Sequence, residues 1–173
     1  NVYYNGIIEE WCNITFKSPS SNPMYYATHI YFIDSSGEWY EPTEVILSNE
    51  VTIIGPYAFY NCASLTSIEI PSSVTSIGSS AFENCTSLES IEISSSVESI
   101  GEYAFYNCTS LTSIEIPSSI KSIANYSFSG CTSLESIEIS SSVESIGSSA
   151  FYNCTSLENV YYNGTIEEWK NVT

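Results

Sequence analysis

The sequence predicts an α/β repeat fold: a right-handed solenoid with a parallel strand ladder, built from 23-residue coils, with a β-hairpin junction and short terminal helices. Three observations lead to this prediction. One 23-residue unit recurs without gaps, apolar and polar residues alternate within it, and Asn or Gly stands at one fixed position of each unit. No apolar run approaches the roughly 20 residues that a membrane span requires, so we expect no transmembrane segment.

The repeat is the strongest of these signals. Its units align at residues 51–73, 74–96, 97–119, 120–142 and 143–159. A period of 23 lies in the range of leucine-rich repeats, far from the roughly 34 residues of helical-pair repeats. Because one coil cannot bury its own apolar side, we expect neighbouring coils to stabilise one another.

The segment LTSIEI predicts the main strand of each coil. Its apolar residues Leu65, Ile68 and Ile70 alternate with Ser67 and Glu69, the period-two pattern of a half-buried strand. Stacked coils would place equivalent strands about 4.8 Å apart in a parallel ladder. Identical side chains should therefore form columns along the solenoid.

The remainder of a unit predicts a second short strand and one helical turn. In VTSIG, Val74 and Ile77 are expected to point inward, and in SSAFEN Phe82 is expected to fill the core. The residues that end this turn are types that tolerate a left-handed backbone: Asn61, Asn84, Asn107, Gly130 and Asn153. Such a column is typical of the end of a helical turn.

Nearly the same thirteen residues open and close the chain, NVYYNGIIEEWCN at 1–13 and NVYYNGTIEEWKN at 159–171. In the second copy, Val160 aligns with the repeated strands, Asn163-Gly164 predicts a tight turn, and Thr165 with Glu168 predicts a capping box for a short helix. The first copy is therefore expected to be the end of a preceding repeat block.

The segments HIYFID and EWYEP flank Ser35-Ser36-Gly37 and predict a β-hairpin between the first copy and the repeats. The predicted organisation has four parts. Residues 1–16 end a preceding repeat block, 17–50 form a junction with the hairpin and the first strand, 51–158 form the repeat block, and 159–173 form a terminal strand and a short capping helix.

The repeated pattern I-G-x-x-A-F-x-N-C-x-S-L-x-x-I-x-I-P resembles the BspA-type leucine-rich repeat over about residues 43–162. The resemblance implies a solenoid on surface proteins of anaerobic bacteria and some mucosal protozoa, with roles in adhesion and protein binding. It also implies an extracellular location, at the cell surface or secreted. The family has no shared catalytic residues to carry over, and its ligands vary.

The charge is strongly negative, with 20 acidic residues, three lysines and no arginine. Nucleic-acid binding needs Lys and Arg to neutralise phosphates, so this composition argues against a nucleic-acid partner. A charged partner should be cationic or metal-bridged. The alternative is that the acidity simply keeps a repetitive protein soluble and unaggregated.

Two polar columns and two apolar positions on the outer face of the main ladder are the candidate binding residues. We expect Glu69, Glu92, Glu115 and Glu138 in one column, Ser67, Ser90, Ser113 and Ser136 beside it, and Ile46 and Tyr161 at the positions that interrupt or end the Glu column. Like charges about 5 Å apart repel one another or attract cations. The alternative is a solvated face that protects the sheet from unwanted pairing.

The sequence offers no catalytic or metal site and implies no cofactor. His29 is the only histidine, and no Ser, Asp or Cys arrangement accompanies it. Five cysteines recur at the repeat period, without C-x-x-C spacing, and are expected as buried thiols: Cys62, Cys85, Cys108, Cys131 and Cys154. Cys12 stands outside this column, corresponds to Lys170 in the second copy, and is expected to be exposed, which makes it the candidate for a reactive thiol.

The leading hypothesis is a non-enzymatic extracellular module that binds a protein or surface ligand through the strand-ladder face. The alternative is a structural spacer in a longer tandem-repeat surface protein, with no ligand of its own. An enzyme such as a glycan hydrolase would need converging carboxylates in a cleft, and the sequence gives no sign of them.

Overall fold

The computed structural model of the chain describes residues 1–173, which form a stack of five coils behind an N-terminal unit. The main ladder consists of β4 (Glu44–Ile46), β6 (Ser67–Glu69), β8 (Ser90–Glu92), β10 (Ser113–Ile116), β12 (Ser136–Ser140) and β14 (Asn159–Asn163). The short ladder consists of β5 (Ile53–Ile54), β7 (Ser76–Ile77), β9 (Ser99–Ile100), β11 (Ser122–Ile123) and β13 (Ser145–Ile146). The predicted solenoid, with its parallel strands, is confirmed.

Pairing within the ladders is parallel and in phase with the repeat. Val45 pairs with Ile68, and Ile68 pairs with Ile91, so one coil advances the register by 23 residues. The pairing is interrupted between β8 and β10 and between β9 and β11. The main ladder is therefore two three-stranded parallel sheets placed in line.

The turn of each coil is not the helical turn that the sequence predicted. It has two left-handed residues rather than one, for example Tyr57 at φ 62° and Asn61 at φ 58°. The amides of residues 57, 59 and 61 donate to carbonyls of the next coil over 2.7–3.0 Å, and those of residues 58, 60 and 62 donate within their own coil. Alternating donors build a third inter-coil hydrogen-bonded column, which a helix would not allow because its amides bond internally.

A stack of phenylalanine rings fills the centre of the solenoid. Phe59, Phe82, Phe105, Phe128 and Phe151 have successive ring centroids 5.2–5.5 Å apart and ring planes within 4° of parallel. The first four rings are buried and Phe151 is half-buried at the end of the stack. The expectation that equivalent rings stack is confirmed.

The repeated cysteines lie beside this stack and bond the coils together. The thiol of Cys85 donates to the carbonyl of Phe59 in the preceding coil, and Cys108, Cys131 and Cys154 repeat the contact over 3.0–3.2 Å. All six cysteines are free thiols. Burial raises the pKa of Cys131 to about 12, and it raises the pKa of the other repeated thiols as well.

The N-terminal unit consists of β1 (Val2–Tyr4), α1 (Ile8–Cys12), two 3₁₀ turns (Pro19–Ser21 and Pro23–Tyr25), β2 (Ile30–Ile33) and β3 (Trp39–Tyr40). β1 pairs in parallel with β2, and β2 pairs antiparallel with β3. The hairpin is confirmed, and β1 belongs to this sheet and not to the main ladder. The unit closes the first coil, since Asn22 donates to the carbonyl of Tyr57 over 2.7 Å.

The prediction of an exposed Cys12 is wrong. This residue lies on the inner side of α1 with no exposed surface, and burial raises its pKa to about 12. The carbonyl of Cys12 accepts a hydrogen bond from Gly55 of the first coil over 3.1 Å. α1 therefore packs directly on the solenoid, which a comparison of the two sequence copies did not reveal.

The second copy ends the solenoid with β14 and α2 (Ile166–Trp169). The predicted capping box is present: Glu168 donates its amide to the Thr165 hydroxyl over 3.2 Å, and Thr165 donates its amide to the Glu168 carboxylate over 2.7 Å. These hydrogen bonds hold the pKa of Glu168 below its usual value. After α2, Thr173 exchanges backbone hydrogen bonds with Glu144 and Ile146 and extends the short ladder.

We expect Phe105→Ala to lower the free energy of unfolding by about 3–5 kcal/mol, because it removes a ring that is stacked and buried on both sides. Phe151→Ala is the matched control, since Phe151 ends the stack and is half-buried. Urea denaturation of both variants measures the difference. Equal losses would contradict a stability derived from stacking between coils.

We expect the native thiols to react slowly with a thiol reagent, with Cys154 reacting first, because it alone among the six is not buried. Labelling with iodoacetamide followed by peptide mass spectrometry identifies the order. Cys154→Ser should remove the first phase. Early labelling of Cys12 would contradict the packing of α1 on the first coil.

Candidate binding surface on the strand ladder

Strand pairing brings the predicted binding residues together in two columns on the outer face of the main ladder. Ser67 pairs with Ser90 and Glu69 with Glu92 in the first sheet, while Ser113 pairs with Ser136 and Glu115 with Glu138 in the second. The columns exist because the Ile between each Ser and Glu turns inward: Ile68, Ile91, Ile114 and Ile137 are all buried. We call this outer surface the ladder face.

The residues of the ladder face differ in exposure. Ser90, Ser113, Glu69, Glu92 and Glu115 are exposed, whereas Ser67, Ser136 and Glu138 are half-buried. The centre of the face is a shallow depression between three strands, lined by Ser67, Ile68, Glu69, Ser90, Ile91, Glu92, Ser113, Ile114 and Glu115. The interruption between β8 and β10 crosses this depression, so its floor lies where the two sheets meet.

Three carboxylates of the Glu column have no partner within the protein. Glu138 accepts a hydrogen bond from the side chain of Asn163 over 2.6 Å, but no side chain donates to Glu69, Glu92 or Glu115. One of the three lysines, Lys170, is paired with Glu167 in α2 over 2.9 Å. The centre of the ladder face is therefore a strip of like charge that is open to a partner's cations.

The apolar positions of the predicted site lie at opposite ends of the Glu column. Ile46 pairs with Glu69 and is 72% exposed, and Tyr161 pairs with Glu138 and is 56% exposed. Tyr3, which corresponds to Tyr161 in the first copy of the thirteen-residue motif, pairs with Tyr31 in the separate N-terminal sheet and stacks on it at 4.9 Å. The ladder face is an acidic strip bounded by one aliphatic and one aromatic side chain.

A cluster of aromatic side chains lies at the turns of the coils. Tyr103 stacks on Tyr126 at 4.9 Å, and Tyr57 contacts Tyr60 edge to face at 6.0 Å. The second coil has Ser80 and Glu83 in place of two tyrosines. Burial raises the pKa of Glu83. Burial together with the charge of Glu83 raises the pKa of Tyr57 and Tyr60 as well.

The remaining titratable groups form one small contact at the edge of the N-terminal unit. His29 contacts the carboxylate of Glu41 over 2.8 Å, and the hydroxyl of Ser64 donates to the same carboxylate oxygen rather than to His29. No three His, Cys, Asp or Glu side chains lie close enough together to form a metal site. None of the helices has the length and apolar character that crossing a bilayer requires.

Comparison with known families decides the classification. Residues 43–173 match the BspA type leucine rich repeat region, with six copies of the repeat. The chain belongs to this family. The match covers α2 and both ladders as far as β14, and it confirms the resemblance seen in the sequence.

Solved structures of the same kind are similar to the chain. A leucine rich cell surface protein from Faecalibacterium prausnitzii A2-165 is 40% identical, with a TM-score of 0.74 over 83% of this chain and 40% of that one. The T. pallidum leucine rich repeat protein is 33% identical, with a TM-score of 0.67 over 78% of this chain and 69% of that one. The match thus covers less than half of the Faecalibacterium protein.

A more distant likeness extends to the pneumococcal vaccine antigen PcpA, which is 18% identical with a TM-score of 0.66, over 82% of this chain and 40% of that one. At that identity the likeness concerns the fold alone. No curated protein matches the chain at a significant level. The family and the surface-protein relatives are established, and the use of the ladder face for binding stays a prediction.

We expect Glu83→Gln to raise the free energy of unfolding at pH 7. Burial raises the pKa of Glu83 in the folded state, so the folded state holds the proton more tightly than the unfolded state. The contribution of Glu83 to stability is therefore full below its unfolded pKa of about 4.3 and is lost as the pH rises through the folded pKa. The gain from Gln should accordingly vanish at acid pH.

Thermal or urea unfolding between pH 3.5 and 7.5 measures this dependence. Glu98→Gln is the matched control, because Glu98 is exposed and lies directly before β9 in the next coil. A stability difference for Glu83→Gln that stays constant across the pH range would contradict the role given to desolvation.

Proposed function

We propose that the chain is a non-enzymatic extracellular binding module whose ladder face holds a protein or cell-surface ligand with basic side chains. One observation carries the proposal: Glu69, Glu92 and Glu115 are exposed around one depression and have no partner within the protein. A row of unpaired carboxylates is electrostatically complementary to a partner that carries basic side chains.

The electrostatic part of such binding has to come from several contacts at once. A single exposed ion pair contributes about 0–1 kcal/mol, so one Glu would not hold a partner. Neighbouring strands repeat the same carboxylate about 4.8 Å apart, which lets several Lys or Arg side chains of one partner bind together. The formal net charge of −17 would also accelerate the approach of a basic partner.

Specific contacts would come from the residues beside the acidic strip. The exposed hydroxyls of Ser90 and Ser113 can donate and accept hydrogen bonds next to each carboxylate. Ile46 and Tyr161 offer apolar area at the two ends, and exposed Tyr side chains are among the residues that contribute most to binding energy. The face thus combines charge, hydrogen bonding and apolar area. Its charges lie at the centre and its apolar side chains at the ends, the reverse of the apolar core and polar rim of most protein interfaces.

The non-enzymatic and extracellular parts of the proposal have separate support. Acid–base catalysis by two carboxylates requires environments that differ, whereas Glu69, Glu92 and Glu115 occupy equivalent places in successive coils. The Faecalibacterium relative is described as a cell surface protein. A spacer that presents other domains and has no ligand of its own is the alternative that the experiment below separates.

We expect the double variant Glu92→Lys and Glu115→Lys to weaken binding to a lysine-rich peptide at least tenfold, because it places two positive charges in the depression. Glu98→Lys with Glu144→Lys is the matched control: both residues are exposed on the turn into the short ladder, and the net charge changes by the same amount. Isothermal titration calorimetry at 50 and 150 mM salt gives the affinities.

Equal losses in the two double variants would mean that net charge alone attracts the peptide, and they would remove the ladder face from the proposal. Absence of binding by the unmodified chain at either salt concentration would favour the spacer. A loss confined to the ladder-face variant, and smaller at the higher salt concentration, is the result that the proposal requires.

A further inference from the structure

The two copies of the thirteen-residue motif have the same local structure but very different burial. They differ only at Ile7/Thr165 and Cys12/Lys170. In both copies a strand leads through a turn into a short helix, and the Asn that follows the helix donates to the carbonyl four residues earlier, over 3.0 and 2.9 Å. Yet Trp11 is 2% exposed and Trp169 is 39% exposed.

The structure itself displays what covers the first copy. β2 adds to β1 in parallel, with Val2 opposite Ile30 and Tyr4 opposite Phe32. The Phe32 ring lies edge to face against Trp11 at 6.2 Å, and Phe16 contacts the same indole at 5.4 Å. The indole nitrogen of Trp11 donates to the carbonyl of Ala58 in the first coil. The junction and the first coil thus enclose the motif together.

The second copy presents the same face without a cover. β14 has β12 on one side only, so its other edge carries unpaired backbone groups. Trp169 keeps its contact with Tyr162, at 5.0 Å, as Trp11 keeps its contact with Tyr4, at 5.1 Å. An open and mainly apolar recess results, lined by Val160, Tyr162, Gly164, Thr165, Ile166 and Trp169. Ile166 is 71% exposed, against 9% for its counterpart Ile8.

We propose that the β14–α2 face is a docking site for a second repeat block of this same sequence, running on from α2. Residues 16–40 of that block would add their β2 strand in parallel to β14, with Ile30 opposite Val160 and Phe32 opposite Tyr162. This is strand addition guided by an apolar pocket, with main-chain hydrogen bonds and alternate side chains both contributing. The inference does not depend on the use of the ladder face.

Chain continuity decides between a joined block and a free second copy. In the first copy the covering segment follows α1 directly, and Asn171-Val172-Thr173 aligns with Asn13-Ile14-Thr15, so a joined block would resume at Phe16 in the same register. A free copy would be hindered, because its own residues 1–13 already occupy its junction and first coil. The occupant is therefore a block in continuous register.

One substitution opposes the fit. Lys170 stands where Cys12 is fully buried against the first coil. A lysine can place its methylene stem along apolar surface and keep its ammonium group in water, so docking can accommodate it with some loss. Lys170→Cys should therefore strengthen docking of a joined block. In the single chain it removes only an exposed ion pair with Glu167, so it should change the stability of that chain little.

The test is a fusion in which residues 1–173 are followed directly by residues 16–173 of a second copy. Trp39→Phe in both blocks and Trp169→Phe in the second leave Trp11 and the first block's Trp169 as the fluorescent residues. We expect the acrylamide quenching of Trp169 to fall at least threefold relative to the single chain. We also expect one cooperative unfolding transition at a higher midpoint than that of the single chain.

Ile166→Asp in the first block is the decisive variant. Ile166 is largely exposed in the single chain, so the substitution should not alter the midpoint of unfolding of that chain. In the fusion it should restore the acrylamide quenching of Trp169 and split the single unfolding transition into two. The proposal would be overturned if the fusion showed two independent unfolding transitions and acrylamide quenched Trp169 as strongly as in the single chain. Dimerisation of the single chain with protection of Trp169 would also overturn it, by placing a free copy on this face.

Discussion

Backbone hydrogen bonds join neighbouring coils along three columns: the main ladder, the short ladder and the turns. The turn column is continuous, and it bridges the places where the two ladders are interrupted. This bonding works only if successive coils have the same length, since one inserted residue would move every amide away from its carbonyl. The carbonyl of Thr43 and the amide of Thr66, or the carbonyl of Thr66 and the amide of Glu89, differ by one full repeat. Equal coil length thus determines the positions of the Phe stack, the Cys column and the ladder face.

Equal coil length also means that differences between the repeats appear directly as local differences on the surface. Because equivalent positions lie above one another, a residue that differs from its neighbours in the column marks a local change in the surface. Glu83 between the tyrosines of the first and third coils is one case, and Ile46 and Tyr161 in the Glu column are others. A partner would recognise such departures, because the invariant part of each column looks alike along the whole solenoid. Specificity for a partner therefore comes from the residues that differ from their counterparts in the other coils.

Much of the fold could be predicted from the sequence, because its signals are local or periodic. Alternation placed the strands, the hairpin was evident from Ser35-Ser36-Gly37, and Thr165 with Glu168 marked the start of α2. The left-handed backbone of Tyr57, Tyr103 and Tyr126 could not be predicted, because tyrosine does not favour that region and only the inter-coil hydrogen bonds impose it. The register of the candidate site was predictable, whereas the interruption between β8 and β10 was not, since both strands have the same sequence pattern.

Cys12 illustrates a different limit. Its sequence copy, Lys170, suggested an exposed position, and the two helices indeed have equivalent backbones. Local residues determine the strand, turn and helix of the motif, whereas tertiary packing determines which of its faces is buried. Trp11 and Trp169 lie in nearly identical sequence segments, and only Trp11 has Phe32 and Ala58 against it. Both copies of the motif therefore form the same local structure. A copy is buried in the core only where a junction and a coil pack against it.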